Sequence, residues 1–287
     1  MIFSFPATGT LWQVDCFDEK ISDNTKKQIT DFVENFENQF SRFRDTSFVS
    51  KLANKAGTYK IPRTAKTLLD FYTKLYQLTS GIFTPTIGET LVSAGYDKSY
   101  TLTPQKKLAV SPDWNSVEYN EEEISSSVPV QLDFGAAGKG YLVDLLSDLL
   151  TKMDYQNFCI DAGGDLRVVG DKSQIVGLEH PTDKTSVIGT IEIKNSSFCG
   201  SSGNRRQWAN FHHIINSKKL SSPKNILSTW VKAKDCLTAD GIATANFLVS
   251  PKLLEDSFDF EYLILTSDYT IKTSKHFSAT LFTENAS

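Results

Sequence analysis

The sequence predicts an α+β or mixed α/β fold, a sheet with helices laid on it, and two periodicities carry that prediction. Apolar residues recur at helical spacing in three segments, and short β-type runs crowd the chain beyond residue 128. In residues 23–40, Ile29, Phe32, Val33, Phe36 and Phe40 line one helical face, with Asp, Glu, Lys and Asn between them. Leu68, Leu69, Tyr72, Leu75 and Tyr76 repeat the signal, and Gly81 stands just beyond them as a C-terminal cap would. Ahead of both, Leu11-Trp12-Gln13-Val14 reads as a strand. Val128, Val130, Leu132 and Phe134 alternate in the manner of a strand. A glycine cluster follows, and Leu142, Leu145, Leu146, Leu149 and Leu150 return to helical spacing. Further β-type runs stand at 158–160, 166–169, 175–176, 188–193, 213–215 and 230–233. The polar stretch 98–127 has the weakest pattern; it could separate two lobes and is read as an excursion within one domain.

With 287 residues, 40% of them hydrophobic, the chain can bury a substantial core. Its formal charge of −4 is spread over interspersed acids and bases, with no basic block to neutralise a run of phosphates, so nucleic acid is not the expected partner. No apolar run approaches the roughly 20 residues of a membrane span, and Ile2-Phe3-Ser4-Phe5-Pro6 lacks the basic start of a signal peptide. The expectation is a cytoplasmic chain without a membrane span. Cys16, Cys159, Cys199 and Cys236 form no metal-binding spacing and read as reduced, buried, small apolar residues.

Four constellations could carry chemistry. Asp133-Phe134-Gly135-Ala136-Ala137-Gly138-Lys139-Gly140-Tyr141 lies between the alternating segment and the leucine-rich helix. Small residues let amides approach a diphosphate, and Lys139 and a helix N-terminus add positive potential. A P-loop is excluded, because the glycines are too close together and Gly140 stands where a magnesium-binding hydroxyl belongs. A tight turn with a solvated lysine explains the segment equally well. In Thr238-Ala239-Asp240-Gly241-Ile242-Ala243-Thr244, Thr238 reads as a helix cap with Asp240 in the first turn, and spacing of four sets Asp240 and Thr244 on one face. Such hard oxygen donors suit Mg²⁺, although an acid in a first turn more often serves the helix dipole. Gly200-Ser201-Ser202-Gly203-Asn204 precedes Phe211-His212-His213-Ile214-Ile215-Asn216, which offers a phosphate contact and a general base. If that run is a strand, the two histidines face opposite ways and at most one serves a site. Asp161-Ala162-Gly163-Gly164-Asp165 reads as a hairpin turn, or as close backbone approach to a nucleotide.

Taken in order, these segments resemble the ApbE-type FAD:protein FMN transferases. Asp133, Gly135, Lys139, Gly140 and Tyr141 match the family's D-x-G-x-x-x-K-G-Y pattern, and Asp161-Ala162-Gly163-Gly164-Asp165 is similar to its N-x-G-G-[ND] turn. Ser201-Ser202-Gly203, His213-Ile214-Ile215-Asn216-Ser217 and residues 239–245 resemble its T-S-G, H-I-[IV]-D-P and A-D-A-x-[AS]-T-A segments. Upstream, Gly9-Thr10, Ser41-Arg42-Phe43 and Gly81-Ile82-Phe83-Thr84-Pro85-Thr86 complete a nearly full-length match, with Thr84 and Asn216 standing where the family pattern has Asp.

The resemblance implies one transferase domain over residues 1–287, a mixed and mainly antiparallel sheet flanked by helices, with two lobes around an FAD cleft as one form it could take. It implies FAD as substrate, Mg²⁺ held by Asp240, Thr244 and the carbonyl of Gly138, and His213 as the catalytic base. It implies Asp133, Gly135, Lys139, Gly140, Gly163, Gly164, Ser202 and Gly203 as FAD-binding residues, and position alone adds Phe43, Phe83 and Tyr96 beside the isoalloxazine. The expected partner is an acceptor flavoprotein with a D-x-x-[ST]-x-x-T-like motif. The same site with water in place of the hydroxyl would hydrolyse FAD to FMN and AMP, and an FAD-binding protein without turnover is the third reading.

Overall fold

The computed structural model describes residues 2–183, 185–204 and 206–282. In chain order it opens with β1 (Phe3–Ala7), β2 (Thr10–Cys16), α1 (Asp23–Phe40), α2 (Phe48–Asn54), β3 (Gly57–Lys60), α3 (Ala65–Leu78) and α4 (Gly88–Ser93). The middle of the chain forms β4 (Val117–Tyr119), β5 (Glu123–Ser126), α5 (Gly138–Lys152), β6 (Phe158–Ala162), β7 (Asp165–Val169), β8 (Ser173–Glu179) and β9 (Val187–Lys194). It closes with β10 (Ser197–Ser202), β11 (Gln207–Trp208), β12 (Phe211–His212), β13 (Ile226–Ala233), α6 (Cys236–Ala245), β14 (Phe260–Thr266), β15 (Ile271–Thr273) and β16 (Ala279–Leu281). No helix among these residues is long and apolar enough to cross a membrane.

The frame is an eight-stranded sheet in the order β1-β2-β6-β7-β10-β13-β14-β15. The sheet expected to be mixed and mainly antiparallel is antiparallel in each of its ladders. Alternation along its strands divides two cores. Trp12, Val14, Ile160, Ala162, Cys199 and Val231 face the helices, where Leu142, Leu146 and Leu150 of α5 and Ile242 and Ala243 of α6 cover them. On the opposite face Val168, Phe198, Trp230 and Leu263 pack against Ile191 and Ile193 of β9, which belongs to a second sheet in the order β16-β9-β8. The α+β class follows, with helices on one face and a small sheet on the other. The weakly patterned stretch 98–127 contributes β4 and β5, which join β3 in a third sheet.

Local chemistry explains the boundaries. The Ser22 hydroxyl accepts the Thr25 amide at 3.1 Å and starts α1, whose Ile29, Val33 and Phe40 are buried. After α3, Gly81 takes φ +82° and its N–H returns to the Tyr76 carbonyl at 2.8 Å, so the expected cap is made. Gly163 and Gly164, at φ +70° and +101°, form the two-residue loop of the β6–β7 hairpin.

Three expectations are corrected. The alternating residues 128–134 join no ladder: Val130 N–H bonds to Leu52 O of α2 and Asp133 N–H to Pro85 O, so a helix carbonyl and the turn ahead of α4 take the place of a neighbouring strand. Only Phe211 and His212 of the histidine run are a strand, because the chain turns away at His213. The cap of α6 is Asp235, whose carboxylate accepts the Thr238 amide at 2.8 Å, and Asp240 therefore lies in the second turn.

Candidate active site

Two helix N-termini meet behind the sheet. The first amides of an α-helix lack partners within the helix; in α5 the Gly140 N–H is satisfied by Asp240 Oδ2 of α6, at 2.8 Å. This approach requires glycine, since a Cβ at residue 140 would stand 2.2 Å from the Cys236 carbonyl oxygen. Burial pushes the pKa of Asp240 up, and Lys139 and the Gly140 amide pull it back. One turn further along α6, Thr244 Oγ1 lies 3.3 Å from Ser201 Oγ of β10. Cys199 and Cys236 fill the layer beneath as free thiols with sulfurs 3.3 Å apart, and burial raises the pKa of both.

Above these helices opens a cavity of about 390 Å³. Gly135, Gly138 and Lys139 line it, as do Asp133, Thr244 and His213, and Phe43, Phe83 and Tyr96 form its aromatic wall. Asp240 and Gly140 lie behind the lining, with Asp240 only 6% exposed. Gly163, Gly164 and Ser202 instead line a second cavity, of about 570 Å³, between the large sheet and β8. The two cavities adjoin where Ser201, in the lining of the second, touches Thr244, in the lining of the first. Gly203 lines neither and sits against the His212 ring.

The main cavity is basic although the chain is acidic: Arg42, Arg44, Lys98, Lys139 and Arg206 line it against Glu37 and Asp133. Lys139 pairs with the buried Asp165 of β7. Asp133 is held by the Arg42 guanidinium and accepts the Gly135 amide at 2.8 Å, which fixes the loop leading into α5. Arg42, 4% exposed, lies over the Phe43 and Tyr96 rings at 4.1 and 5.0 Å from their centroids and donates to the Tyr96 carbonyl. The Tyr96 hydroxyl accepts from Arg206 at 2.6 Å, and burial pushes its pKa up to about 12. Arg42, Asp165 and Tyr72 were missed as site residues by sequence reasoning. The Tyr72 phenol lines the cavity near the charges of Asp133 and Asp240, and burial holds its pKa well above the usual value. Arg42 was within reach, since it sits inside the Ser41-Arg42-Phe43 segment; Tyr72 was hidden by a spacing that fits core packing equally well.

The adjacent histidines have separate surroundings. His212 is buried, its Nε2–H donates to the Pro223 carbonyl at 2.9 Å, and its Nδ1 accepts the Ile214 amide at 3.2 Å. Both nitrogens serve the fold, and His213 is the one that lines the cavity. Burial lowers the His212 pKa below its ordinary 6.5. The folded ring therefore refuses a proton that the unfolded chain accepts, and the stability present above pH 6.5 is lost as pH falls below it. Denaturant titrations of wild type and His212→Gln from about pH 7.5 to about pH 5 should show the wild type losing stability more steeply. Equal slopes would mean that His212 titrates normally.

The donors fit a magnesium ion that shares its shell with substrate. Asp240 is a buried carboxylate with one oxygen committed to an amide, and the Thr244 hydroxyl follows one turn along the same helix face. Among the described residues no three His, Cys, Asp or Glu side chains gather into a metal cluster. Mg²⁺ commonly takes one or two carboxylates and completes its shell with substrate phosphates and water. Thr84 and Asn216 are occupied structurally: Thr84 Oγ1 accepts the Thr86 amide at 3.3 Å, and Asn216 Oδ1 accepts the amides of Lys218 and Lys219 at 3.1 and 2.9 Å.

Comparison with known proteins gives the family and the fold. A family model described as the ApbE family matches residues 8–261. The FAD:protein FMN transferase of Rhodobacter capsulatus is 26% identical over 58% of this chain, which spans only 35% of that protein's length. The FAD:protein FMN transferase of Vibrio cholerae is 24% identical over 84% of this chain and 79% of its own. The crystal structure of the ApbE protein from Thermotoga maritima shares the fold, with a TM-score of 0.81 at 22% identity over 96% of this chain and 97% of that one.

Proposed function

The chain belongs to the ApbE family, and on that premise we propose that it transfers FMN from FAD to a Ser or Thr hydroxyl of an acceptor flavoprotein, releasing AMP. The observation that carries this reading is the convergence on one cavity of a basic lining, an aromatic wall, a helix N-terminus and a histidine. The acceptor hydroxyl belongs to a D-x-x-[ST]-x-x-T-like segment. Its oxygen attacks the phosphorus of the FMN half, the diphosphate bond to that phosphorus breaks, and AMP departs with the bridging oxygen. His213 takes the hydroxyl proton. Lys139, Arg42 and Arg206 favour the diphosphate charge, and Phe43, Phe83 and Tyr96 supply faces for the flavin ring. Asp240, Thr244 and the Gly138 carbonyl would hold Mg²⁺, whose chemistry is to neutralise charge developing on the phosphate oxygens.

The test is to incubate the chain with FAD, Mg²⁺ and an acceptor carrying the threonine motif, and then to weigh the acceptor. A gain of one FMN moiety, lost with chelator, supports transfer. AMP release that needs no acceptor would instead make the chain an FAD hydrolase, and FAD binding with neither product would make it a binding protein. His213→Ala should slow transfer by about 10²- to 10⁴-fold with FAD affinity nearly unchanged. Loss of FAD binding with loss of fold would make the residue structural.

A further inference from the structure

Neither the family pattern above nor the cavity lining includes Asp144, yet it makes two hydrogen bonds between the two helices that build the site. It lies in the second turn of α5, four residues beyond Gly140. Its Oδ1 accepts the Cys236 amide and its Oδ2 the Leu237 amide, both at 2.8 Å. These are the first two residues of α6, whose N–H groups have no partner within their own helix. In the opposite direction the Gly140 N–H, an equivalent orphan of α5, is given to Asp240 of α6. Each helix therefore satisfies the other's N-terminus with a carboxylate, and Asp235, the N-cap of α6, satisfies the Thr238 amide. Carboxylates at two helix N-termini also complement both dipoles.

We propose that Asp144 is a positioning residue of the active site, which sets the seating of α6 on α5 and so the place of Thr244 in the cavity lining and of Asp240 just behind it. The inference rests on the reading of Asp240 and Thr244 as metal ligands, but the contact it predicts can be measured without metal. Two paired carboxylate–amide links fix both the separation and the rotation of α6, whereas apolar packing alone permits sliding. Burial pushes the Asp144 carboxyl up to about 7 against the pull of its two amides and of Arg167, with Asp235 adding to the rise. A side chain so costly to bury charged calls for a role that a packed leucine could not fill.

Asp144→Asn keeps the shape but sets an amide N–H₂ against one of the two backbone donors. In amide hydrogen exchange by NMR, the Gly140, Cys236 and Leu237 protons should lose protection about tenfold or more. In calorimetric titration with Mn²⁺ in the presence of FAD, the dissociation constant should rise about tenfold, the scale on which supporting residues tune a metal site. Asp235→Ala is the control: it removes a cap of the same helix without touching α5, and should expose Thr238 while leaving Gly140 and the metal affinity unchanged. If Asp144→Asn does not fold, Asp144→Glu keeps the charge and pushes α6 outward by one methylene, and should give the same loss at Gly140. Unchanged Gly140 protection in a folded Asp144 variant, or equal loss in Asp235→Ala, overturns the proposal. A wild-type chain that binds no divalent cation with FAD would remove the metal reading, and exchange at Gly140 would still decide whether Asp144 seats the helix.

Discussion

Asp240→Asn should abolish most FMN transfer, on the order of a 10³-fold loss in kcat/KM, while the protein melts at the wild-type temperature or above it. The two halves have opposite causes. Asparagine retains an oxygen that can accept the Gly140 amide, so the junction of α5 and α6 survives. It also lifts a burial penalty, because Asp240 is a desolvated carboxylate only partly compensated by Lys139 and one amide. What vanishes is the negative charge at the proposed magnesium site, where charge stabilisation is worth several kcal/mol of barrier, and each 1.4 kcal/mol is tenfold in rate. AMP release and acceptor mass measured beside a thermal melt test both halves. Retained transfer would exclude Asp240 from the metal site; a lower melting temperature would mean that its charge holds the fold.

Gly140→Ala should have the largest effect on stability. Helix propensity alone favours alanine by about 1 kcal/mol. Against that, the added carbon would stand 2.2 Å from the Cys236 carbonyl oxygen and 2.7 Å from Asp240 Cβ. Neither is the movable end of a flexible side chain, so α6 as a whole must shift. The expected net cost is about 3 kcal/mol, which lowers the melting temperature by about 5 °C in a protein of this size. Transfer should fall with it, since Asp240 moves when α6 does. A variant that melts like the wild type would show that the two helices lie further apart than described.

Local rules reached some of this and failed at definable points. The first helix was legible because its apolar face repeats through residues 29–40, and the structure adds the Ser22 cap at its start. At α6 two residues could cap, Thr238 and Asp235, and the sequence does not reveal which oxygen reaches an orphan amide; Asp235 does. Alternation at residues 128–134 reported burial correctly for Val130, Leu132 and Phe134, but alternation carries no information about whether a partner strand exists. Site residues inside short motifs could be named in advance. Their partners could not, because Arg42 meets Asp133 across 91 positions and Asp144 meets Cys236 across 92, and no periodicity links such distances. The resemblance grouped Gly163, Gly164 and Ser202 with Lys139, whereas the fold sets the first three in an adjoining cavity beside β8 and Lys139 at the start of α5, an arrangement that only the packing of distant elements decides.

The turn at Asn216 bears on how such a chain can change by descent. Its side chain is used there through one oxygen that receives two backbone amides, a task that an aspartate performs equally well. An asparagine codon becomes an aspartate codon by a single base change, so a lineage can gain or give up the carboxylate that the family pattern carries at this position without passing through a misfolded intermediate.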